Sequence, residues 1–198
     1  MRTWFIIFFF LVFLSCNYNI SNEKTSLIDS LSILIKKDSL DISLLNERSA
    51  LYLLDGNLQF AKKDIDNAYS IFKNDPSVLL NRGNIYYELN RTRVSKQSWE
   101  RCVKIYPNNI QCREKLTNLL CAVRDPNCKS MIDTFALLNN GVVTISLIAY
   151  LKELKEYELA LKLLNNLIDE DASNREALSL LSIIYSDTSS QNIFLNIE

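Results

Sequence analysis

Apolar and small side chains recur along this chain at helical spacing, three or four residues apart, and the whole arrangement returns after 34 residues. In the first helix of the pattern, the positions 34 residues after Leu45, Arg48, Ser49 and Tyr52 are occupied by Leu79, Arg82, Gly83 and Tyr86. The second helix shows it too, as Ala61, Ile65 and Ala68 become Ser95, Trp99 and Cys102. The pattern therefore predicts a series of helical hairpins that share one design.

Steric reasoning explains which side chains recur. Small residues at Ser49, Ala61 and Ala68 allow the two helices of a hairpin to approach closely, and larger side chains fill the space between neighbouring hairpins. Gly56 stands where the first hairpin must turn, and Asn90 stands at the same place in the second. Both residue types accept the left-handed backbone conformation that such a turn requires.

Two regular repeats are predicted, over residues 42–75 and 76–109. A leading helix with Leu27, Leu31 and Leu34 begins near residue 26, looks like the second helix of a truncated repeat, and is expected to cap the series. In the third repeat, from residue 110, the first helix is expected to stop early at Asp125-Pro126, and the second to span about residues 129–138. The fourth repeat arrives 31 residues later, and a closing helix is predicted over about residues 175–186.

This period and these positions resemble the tetratricopeptide repeat, including Pro107 where that family ends its second helix. The resemblance implies an all-α fold, a helix-turn-helix repeat solenoid that winds into a superhelix, over residues 26–188. It also implies a protein that holds other proteins or peptides. Residues 189–198 are set apart as a C-terminal tail too short to assign.

The amino-terminal segment follows a different pattern. A short cationic start, Met1-Arg2-Thr3, precedes an unbroken apolar run over residues 4–14 that ends at Ser15-Cys16. The run is about half of the roughly 20 residues that a membrane-spanning helix needs. Its layout is that of an export signal, so residues 1–15 are predicted to be a cleaved signal peptide.

The sequence Phe13-Leu14-Ser15-Cys16 resembles the lipobox of bacterial lipoproteins, although that motif favours an aliphatic residue at Phe13 and a small one at Leu14. The resemblance implies cleavage before Cys16, acylation of this cysteine, and a tether over residues 16–25. The predicted location is then the bacterial cell envelope, at the periplasmic face of the outer membrane. The alternative is a plain secretory signal with an accidental cysteine, which gives a periplasmic or secreted protein.

Composition removes several function classes. The chain has 198 residues, a net charge of -1, three glycines and no histidine. Without histidine there is no histidine triad, general base or metal ligand, and three scattered glycines do not form a phosphate loop. The balanced charge shows no basic patch for nucleic acid. We therefore predict a protein that is not an enzyme, has no cofactor or metal, and does not bind nucleic acid.

Four cysteines remain after Cys16: Cys102, Cys112, Cys121 and Cys128. An even number in an exported chain favours disulfides. Cys112 and Cys121 fall on one predicted helix, roughly 13 Å apart by the helical rise, which is too far to bridge. Cys112 and Cys128 would flank that same helix and lie further apart still, so the remaining pairing joins Cys102 with Cys112 and Cys121 with Cys128. The alternative is four thiols that serve as small apolar side chains.

In the tetratricopeptide-repeat family the first helices line a concave groove. Carried onto this sequence, the groove positions are Asn46, Leu53, Asn84, Tyr87, Glu88, Gln111, Glu114 and Asn118. The three asparagines are expected to form a ladder that grips an extended peptide backbone, since side-chain amides both donate and accept. The alternative is a solvated helix face. Groove positions are neutral or acidic, which disfavours a clamp for a terminal carboxylate.

A second set of groove positions is apolar, comprising Val142, Ile145, Ala149 and Ile183. An exposed apolar patch indicates an interface, and burial within the fold is the alternative. Arg48 and Arg82 share one column and are expected to pair with acids such as Asp64 or Glu47.

The predicted function is that of an exported, lipid-anchored adaptor or scaffold with a protein or peptide client in the bacterial envelope. The alternative is a structural envelope protein that forms homodimers through its apolar carboxyl-terminal helix face.

Overall fold

The computed structural model describes residues 25–195, and its side chains up to residue 188. All regular structure in this range is helical, which confirms the predicted all-α class of paired helices. The helices are α1 (25–37), α2 (Ile42–Leu54), α3 (Leu58–Ile71), α4 (Pro76–Glu88), α5 (Thr92–Ile105), α6 (Ile110–Ala122), α7 (Cys128–Leu138), α8 (Ile145–Glu153), α9 (Tyr157–Glu170) and α10 (Arg175–Leu195). The predicted signal peptide, Cys16 and the tether before residue 25 lie outside the described residues.

The described helices form two compact units, one ending at Ile105 and the other beginning at Tyr106. In unit 1, α2 packs against α3 and α4 against α5, and α4 also contacts α2 and α3. In unit 2, α6 packs against α7 and α8 against α9, while α10 contacts both α8 and α9. Each pair of sequential helices is thus the hairpin that the 34-residue pattern predicts.

The core of unit 1 consists of the recurring positions. Leu45, Ala61, Ile65 and Ala68 are at most 2% exposed and form one cluster with side chains of α1 and α4. The leading helix α1 contributes Leu31 and Ile35, whereas the predicted core positions Leu27 and Leu34 are 43% and 44% exposed. No helix that precedes α1 lies within the described residues to cover them.

The hairpin α4–α5 shows why a small residue is required at its crossing. Gly83 lies against the buried indole of Trp99, and a Cβ at this glycine would stand 2.1 Å from the indole nitrogen. That nitrogen donates a hydrogen bond to the carbonyl of Leu80, at 3.3 Å. In the preceding hairpin the equivalent residues are Ser49 and Ile65. Ser49 is larger than Gly83 and Ile65 is smaller than Trp99, so the two changes in size compensate each other.

The core of unit 2 is larger and more aliphatic. Leu147, Ile148 and Leu151 of α8 are fully buried against Leu164 of α9 and Ile184 of α10. Helix α8 is therefore buried on much of its circumference, as its continuous apolar sequence indicates.

The turn inside each hairpin repeats the same hydrogen bonds. A residue in the left-handed conformation follows the first helix, and the next residue donates its N–H to a carbonyl five positions back, which is the Schellman motif. The left-handed residues are Gly56, Asn90, Arg124 and Lys155, with φ of 75°, 57°, 55° and 61°. Asn90 therefore replaces the glycine as predicted, and two charged residues adopt the same conformation.

The N-terminal caps of the first helices also recur from repeat to repeat. Asp41, Asp75 and Asn109 precede α2, α4 and α6, and the side chain of each accepts a hydrogen bond from the N–H three residues later, at 2.9–3.0 Å. Such caps stabilise a helix start by about 1 kcal/mol. Their spacing is again 34 residues, so helix starts carry the repeat signal as clearly as the core does.

One prediction about the third repeat is wrong. Helix α6 does not stop early, because it has 13 residues like α2 and α4, and its turn residue Arg124 is in register. The shortening affects α7, with 11 residues against 14 in α3 and α5, and α8, with 9. Pro126 has no N–H and disfavours helix in the residue before it, so α7 starts later.

The closing helix is longer than the sequence pattern predicts. Helix α10 runs from Arg175 to Leu195 instead of ending near residue 186, and it includes most of the segment set apart as a tail. Residues 187–195 contain neither glycine nor proline, so no residue in this stretch ends the helix.

Replacing Gly83 by alanine is expected to lower the free energy of unfolding by about 1–3 kcal/mol, because the added methyl group overlaps a buried indole. Urea denaturation followed by circular dichroism measures the change. The control is Gln97→Ala, at an exposed position of α5, with an expected change within about 0.5 kcal/mol. An unchanged unfolding midpoint for Gly83→Ala would contradict the steric account.

Candidate functional site

The first-helix face of unit 1 is formed by α2 and α4, which lie side by side. On α4 the positions Leu80, Asn84 and Tyr87 follow one another at spacings of four and three residues, and therefore share one side of the helix. Asn46 and Leu53 lie on the corresponding side of α2. We call the predicted groove residues of this unit the first-helix face; they are Asn46, Leu53, Asn84, Tyr87 and Glu88.

These residues are accessible to different degrees. Asn46, Leu53 and Asn84 are half-buried, while Glu88 is exposed and Tyr87 is 45% exposed. The ring of Tyr87 lies 5.9 Å from the ring of Trp99, centre to centre, at an angle of 41°. An exposed aromatic ring supported by a buried one presents a firm apolar surface to a ligand.

The asparagines do not form the predicted ladder. The side-chain oxygen of Asn46 accepts a hydrogen bond from the amide nitrogen of Asn81, at 2.9 Å, which links α2 to α4. In unit 2, Asn118 donates its amide nitrogen to the carbonyl of Glu114 one turn earlier on α6, at 3.0 Å. Both side chains therefore satisfy part of their hydrogen-bonding capacity within the fold.

Asn84 is different. Its side-chain oxygen is buried and has no hydrogen-bond partner within the described part of the chain. A buried amide oxygen without a donor is costly, and such groups in native structures call for an explanation. Among the predicted asparagines, Asn84 is the one whose side-chain oxygen is buried and unsatisfied within the described residues.

Charged and aromatic side chains lie between the first and second helices of unit 1 and support this face. Arg48 donates two hydrogen bonds to the carboxylate of Asp64, at 2.6 and 2.8 Å, and a third to Ser32 at 2.9 Å. The bonds to Asp64 raise the pKa of the Arg48 guanidinium. The predicted pairing of Arg48 with Asp64 is thus present, while Glu47 is exposed at the surface.

Arg82, one repeat later, is held mainly by aromatic rings. Its guanidinium carbon lies 4.3 Å from the ring centre of Tyr69 and 4.8 Å from that of Tyr86. It donates to Ser98 at 2.9 Å and lies 3.7 Å from Asp66. Cation–π contacts with two rings stabilise the guanidinium in this half-buried site. Both arginines are therefore structural members of unit 1.

The predicted groove residues of unit 2 lie on α6. Gln111 is exposed, and Glu114 and Asn118 are half-buried. The sequence reasoning missed their neighbour Arg113, which is 8% exposed and occupies the position of the core residues Leu45 and Leu79. It donates to the carbonyl of Pro107 at 2.8 Å, and burial lowers its pKa. The 34-residue alignment could have identified Arg113, because it places this arginine at a position where the first two repeats have leucine.

The predicted apolar interface is mostly part of the core of unit 2. Ile145 and Ala149 pack against that core, and Val142 is half-buried. Ile183, at 45% exposed, is the accessible member of this set. Self-association through the carboxyl-terminal helix stays a prediction, with a smaller apolar surface than the sequence indicates.

A surface cavity of about 290 Å³ lies in unit 2 beside the turn between α6 and α7. Cys121 and Cys128 form a disulfide in its wall, with Cα atoms 4.8 Å apart, and the bridge spans the turn that contains Asp125-Pro126. Arg124 lies 3.7 Å from Glu153 at the rim. Cys102 and Cys112 are disulfide-bonded as well, so the alternative of four free thiols is wrong.

Two further features of the described residues bear on other functions. None of their helices is long and apolar enough to cross a membrane. Within the same residues, no three or more cysteine and carboxylate side chains cluster in a way that could hold a metal ion.

Comparison with known proteins agrees with this geometry. A sequence model of the tetratricopeptide-repeat family matches residues 77–109, which cover α4 and α5 and end at the cap Asn109. No curated protein sequence matches the chain. Among solved structures, a tetratricopeptide-repeat protein from Parabacteroides merdae aligns with a TM-score of 0.69 at 17% identity, covering 87% of this chain and 70% of that one.

The chain has the tetratricopeptide-repeat fold. Two further solved structures share this fold. PilF of Pseudomonas aeruginosa aligns with a TM-score of 0.73 at 16% identity, over 90% of this chain and 83% of its own. YrrB, described as a tetratricopeptide-repeat protein with an unusual peptide-binding site, aligns with a TM-score of 0.64 at 15% identity, over 83% and 86%.

Within this tetratricopeptide-repeat fold the disulfide is expected to stabilise the α6–α7 hairpin. Replacing both Cys121 and Cys128 by alanine should lower the free energy of unfolding by about 2.5 kcal/mol. The reason is that the unfolded chain gains conformational entropy when the cross-link is removed. Urea denaturation of oxidised protein measures this difference. Under a strong reductant the difference between the two proteins should shrink, and an equal difference in both conditions would assign the loss to packing rather than to the bridge.

Proposed function

We propose that this protein is an exported, lipid-anchored adaptor that binds a protein or peptide client on its first-helix face and holds it at a bacterial envelope membrane. The role is one of binding and localisation, without catalysis. The proposal has two parts, recognition of a client and attachment to a membrane, and different residues support each part.

The observation that carries the first part is the unsatisfied acceptor of Asn84. An extended peptide has N–H groups at regular intervals, and the half-buried Asn84 side chain can turn its unsatisfied amide oxygen toward such a group. The exposed ring of Tyr87, one helical turn away, adds apolar contact area for a client side chain. The peptide-binding site described for YrrB, which shares the fold, is consistent with this role.

Attachment to a membrane is supported by the amino-terminal sequence. The cationic start, the short apolar run and Cys16 follow in the order of a lipoprotein signal. Several acyl chains on one cysteine, at about 0.8 kcal/mol per buried CH₂, would hold the protein on a membrane almost permanently. The membrane then determines where the client is held.

Client binding can be tested by photo-crosslinking in intact cells of the native host. A photoreactive amino acid at Asn84 or Tyr87 is expected to capture a defined protein, whereas the same group at Gln97, exposed on the second helix α5, should not capture it. Capture from Gln97 alone would place recognition on the other face and contradict the proposal.

The same client provides a quantitative measurement. Asn84→Ala should weaken its binding about 2- to 10-fold, the effect of one lost hydrogen bond of roughly 0.5–1.5 kcal/mol. Gln97→Ala is the matched control and should leave the affinity unchanged. Equal affinity of the Asn84 variant and the unaltered protein would show that this amide does not contact the client.

The anchor can be tested separately by metabolic labelling with a fatty acid. Cys16→Ser should abolish the label and release the protein from the membrane fraction, because serine offers no thiol for acylation. Retention of the label would contradict modification at Cys16. An unlabelled but exported native protein would instead support the plain secretory signal.

A further inference from the structure

The outer face of α1 carries apolar side chains that no other described helix covers. Its members lie on one side of the helix and are all exposed; they are Ser26, Leu27, Ser30, Ile33, Leu34 and Lys37. Leu27 and Leu34 are 43% and 44% exposed, and Ile33 is 57% exposed. The opposite side of the helix is anchored in unit 1 through Leu31 and Ile35, so the orientation of the face is fixed.

The repeat pattern shows that this exposure is specific to α1. Leu27 and Leu34 occupy the positions of Ala61 and Ala68 in α3, which are 0% exposed because α2 packs against α3. In α1 the small residues that permit such close packing are replaced by leucines. Leucines at these positions prevent another helix from packing as closely as α2 does on α3, and they leave a broad apolar surface instead.

The polar members of the face are suited to a lipid boundary. Ser30 donates its hydroxyl to the carbonyl of Ser26, at 2.8 Å, so little hydrogen bonding to water is lost on burial. Lys37 has a flexible stem that can extend its ammonium group toward phosphate headgroups. None of the six residues is acidic. Terminal helices of repeat proteins ordinarily present a polar outer face to water, which this one does not.

The position of α1 in the chain places this helix close to the membrane that carries the anchor. This step rests on the proposed acylation of Cys16. Eight residues lie between Cys16 and residue 25, so even a fully extended tether reaches at most about 30 Å. The apolar face thus belongs to the helix that the anchor keeps closest to the bilayer.

We propose that the outer face of α1 lies in the interfacial region of the membrane that carries the Cys16 lipid, and that it orients unit 1 on this membrane. Leu27, Ile33 and Leu34 enter the boundary between headgroups and acyl chains, and Lys37 contacts phosphate. The protein is then attached at two places, by its acyl chains and by a helix face, rather than suspended on a flexible tether.

The test uses the mature acylated protein reconstituted in phosphatidylglycerol-containing vesicles whose acyl chains carry bromine, which quenches tryptophan on contact. Leu34→Trp and Leu27→Trp place a probe on the face, and Lys36→Trp places one on an exposed flank of the same helix, about 120° around the axis from Ser30 at the middle of the face. The native Trp99 is 2% exposed and supplies a constant background. Circular dichroism confirms that each variant is folded, and flotation confirms that it is bound to vesicles.

We expect the brominated lipid to remove much of the added emission at positions 27 and 34 and little of it at position 36. If the protein floats with vesicles but neither face probe is quenched, the face lies away from lipid; the inference is overturned while the anchor stands, and light scattering then shows whether a second copy covers it. Equal quenching at all three positions also overturns the orientation. If the protein is not acylated and does not float, both the anchor and this inference fail.

Discussion

Close approach of the two helices in a hairpin is the constraint on which this structure depends. Ser49, Ala61 and Ala68 are fully buried at the crossing in unit 1, and Gly83 lies so near Trp99 that even a methyl group would overlap the indole. Because packing at this distance leaves no spare volume, the two crossings of unit 1 each pair a small residue with a large one, Ser49 with Ile65 and Gly83 with Trp99. The same tight pairs set how α2 and α4 lie side by side, and therefore which side chains the first-helix face presents.

Tight hairpins also require a sharp turn, and the fold keeps this turn when its sequence changes. Gly56, Asn90, Arg124 and Lys155 all take the left-handed conformation, although only glycine does so without steric cost. For the charged residues the cost is roughly 1–2 kcal/mol, which the hydrogen bonds of the Schellman motif and the packing of the hairpin offset. The local sequence preference is thus overridden by tertiary packing.

The chemistry of the faces depends on which polar groups the fold satisfies internally. Asn46 and Asn118 have side-chain amides of the kind that bind ligands. In this structure, however, Asn46 forms a hydrogen bond with Asn81, and Asn118 forms one with the backbone of its own helix. Asn84 retains a buried acceptor without a donor. Arg48 is neutralised by Asp64, whereas Arg113 replaces a core leucine and meets a backbone carbonyl. The hydrogen-bond partners that the folded chain supplies decide these differences, so residue type alone does not reveal them.

The sequence by itself determined the helical hairpins, their period and their turn positions, because helix geometry and steric fit at the crossings act over a few residues at fixed spacing. The end of α10 and the location of the shortened helices were missed, since Pro126 delays the next helix rather than ending the preceding one, and residues 187–195 contain no helix breaker. Only the tertiary structure decided that Leu27 and Leu34 remain exposed while Ile145 and Ala149 are half-buried. The exposure of a side chain depends on whether a neighbouring helix packs over it. A periodic pattern shows which side chains share a helix face, but it does not show which helix packs against that face.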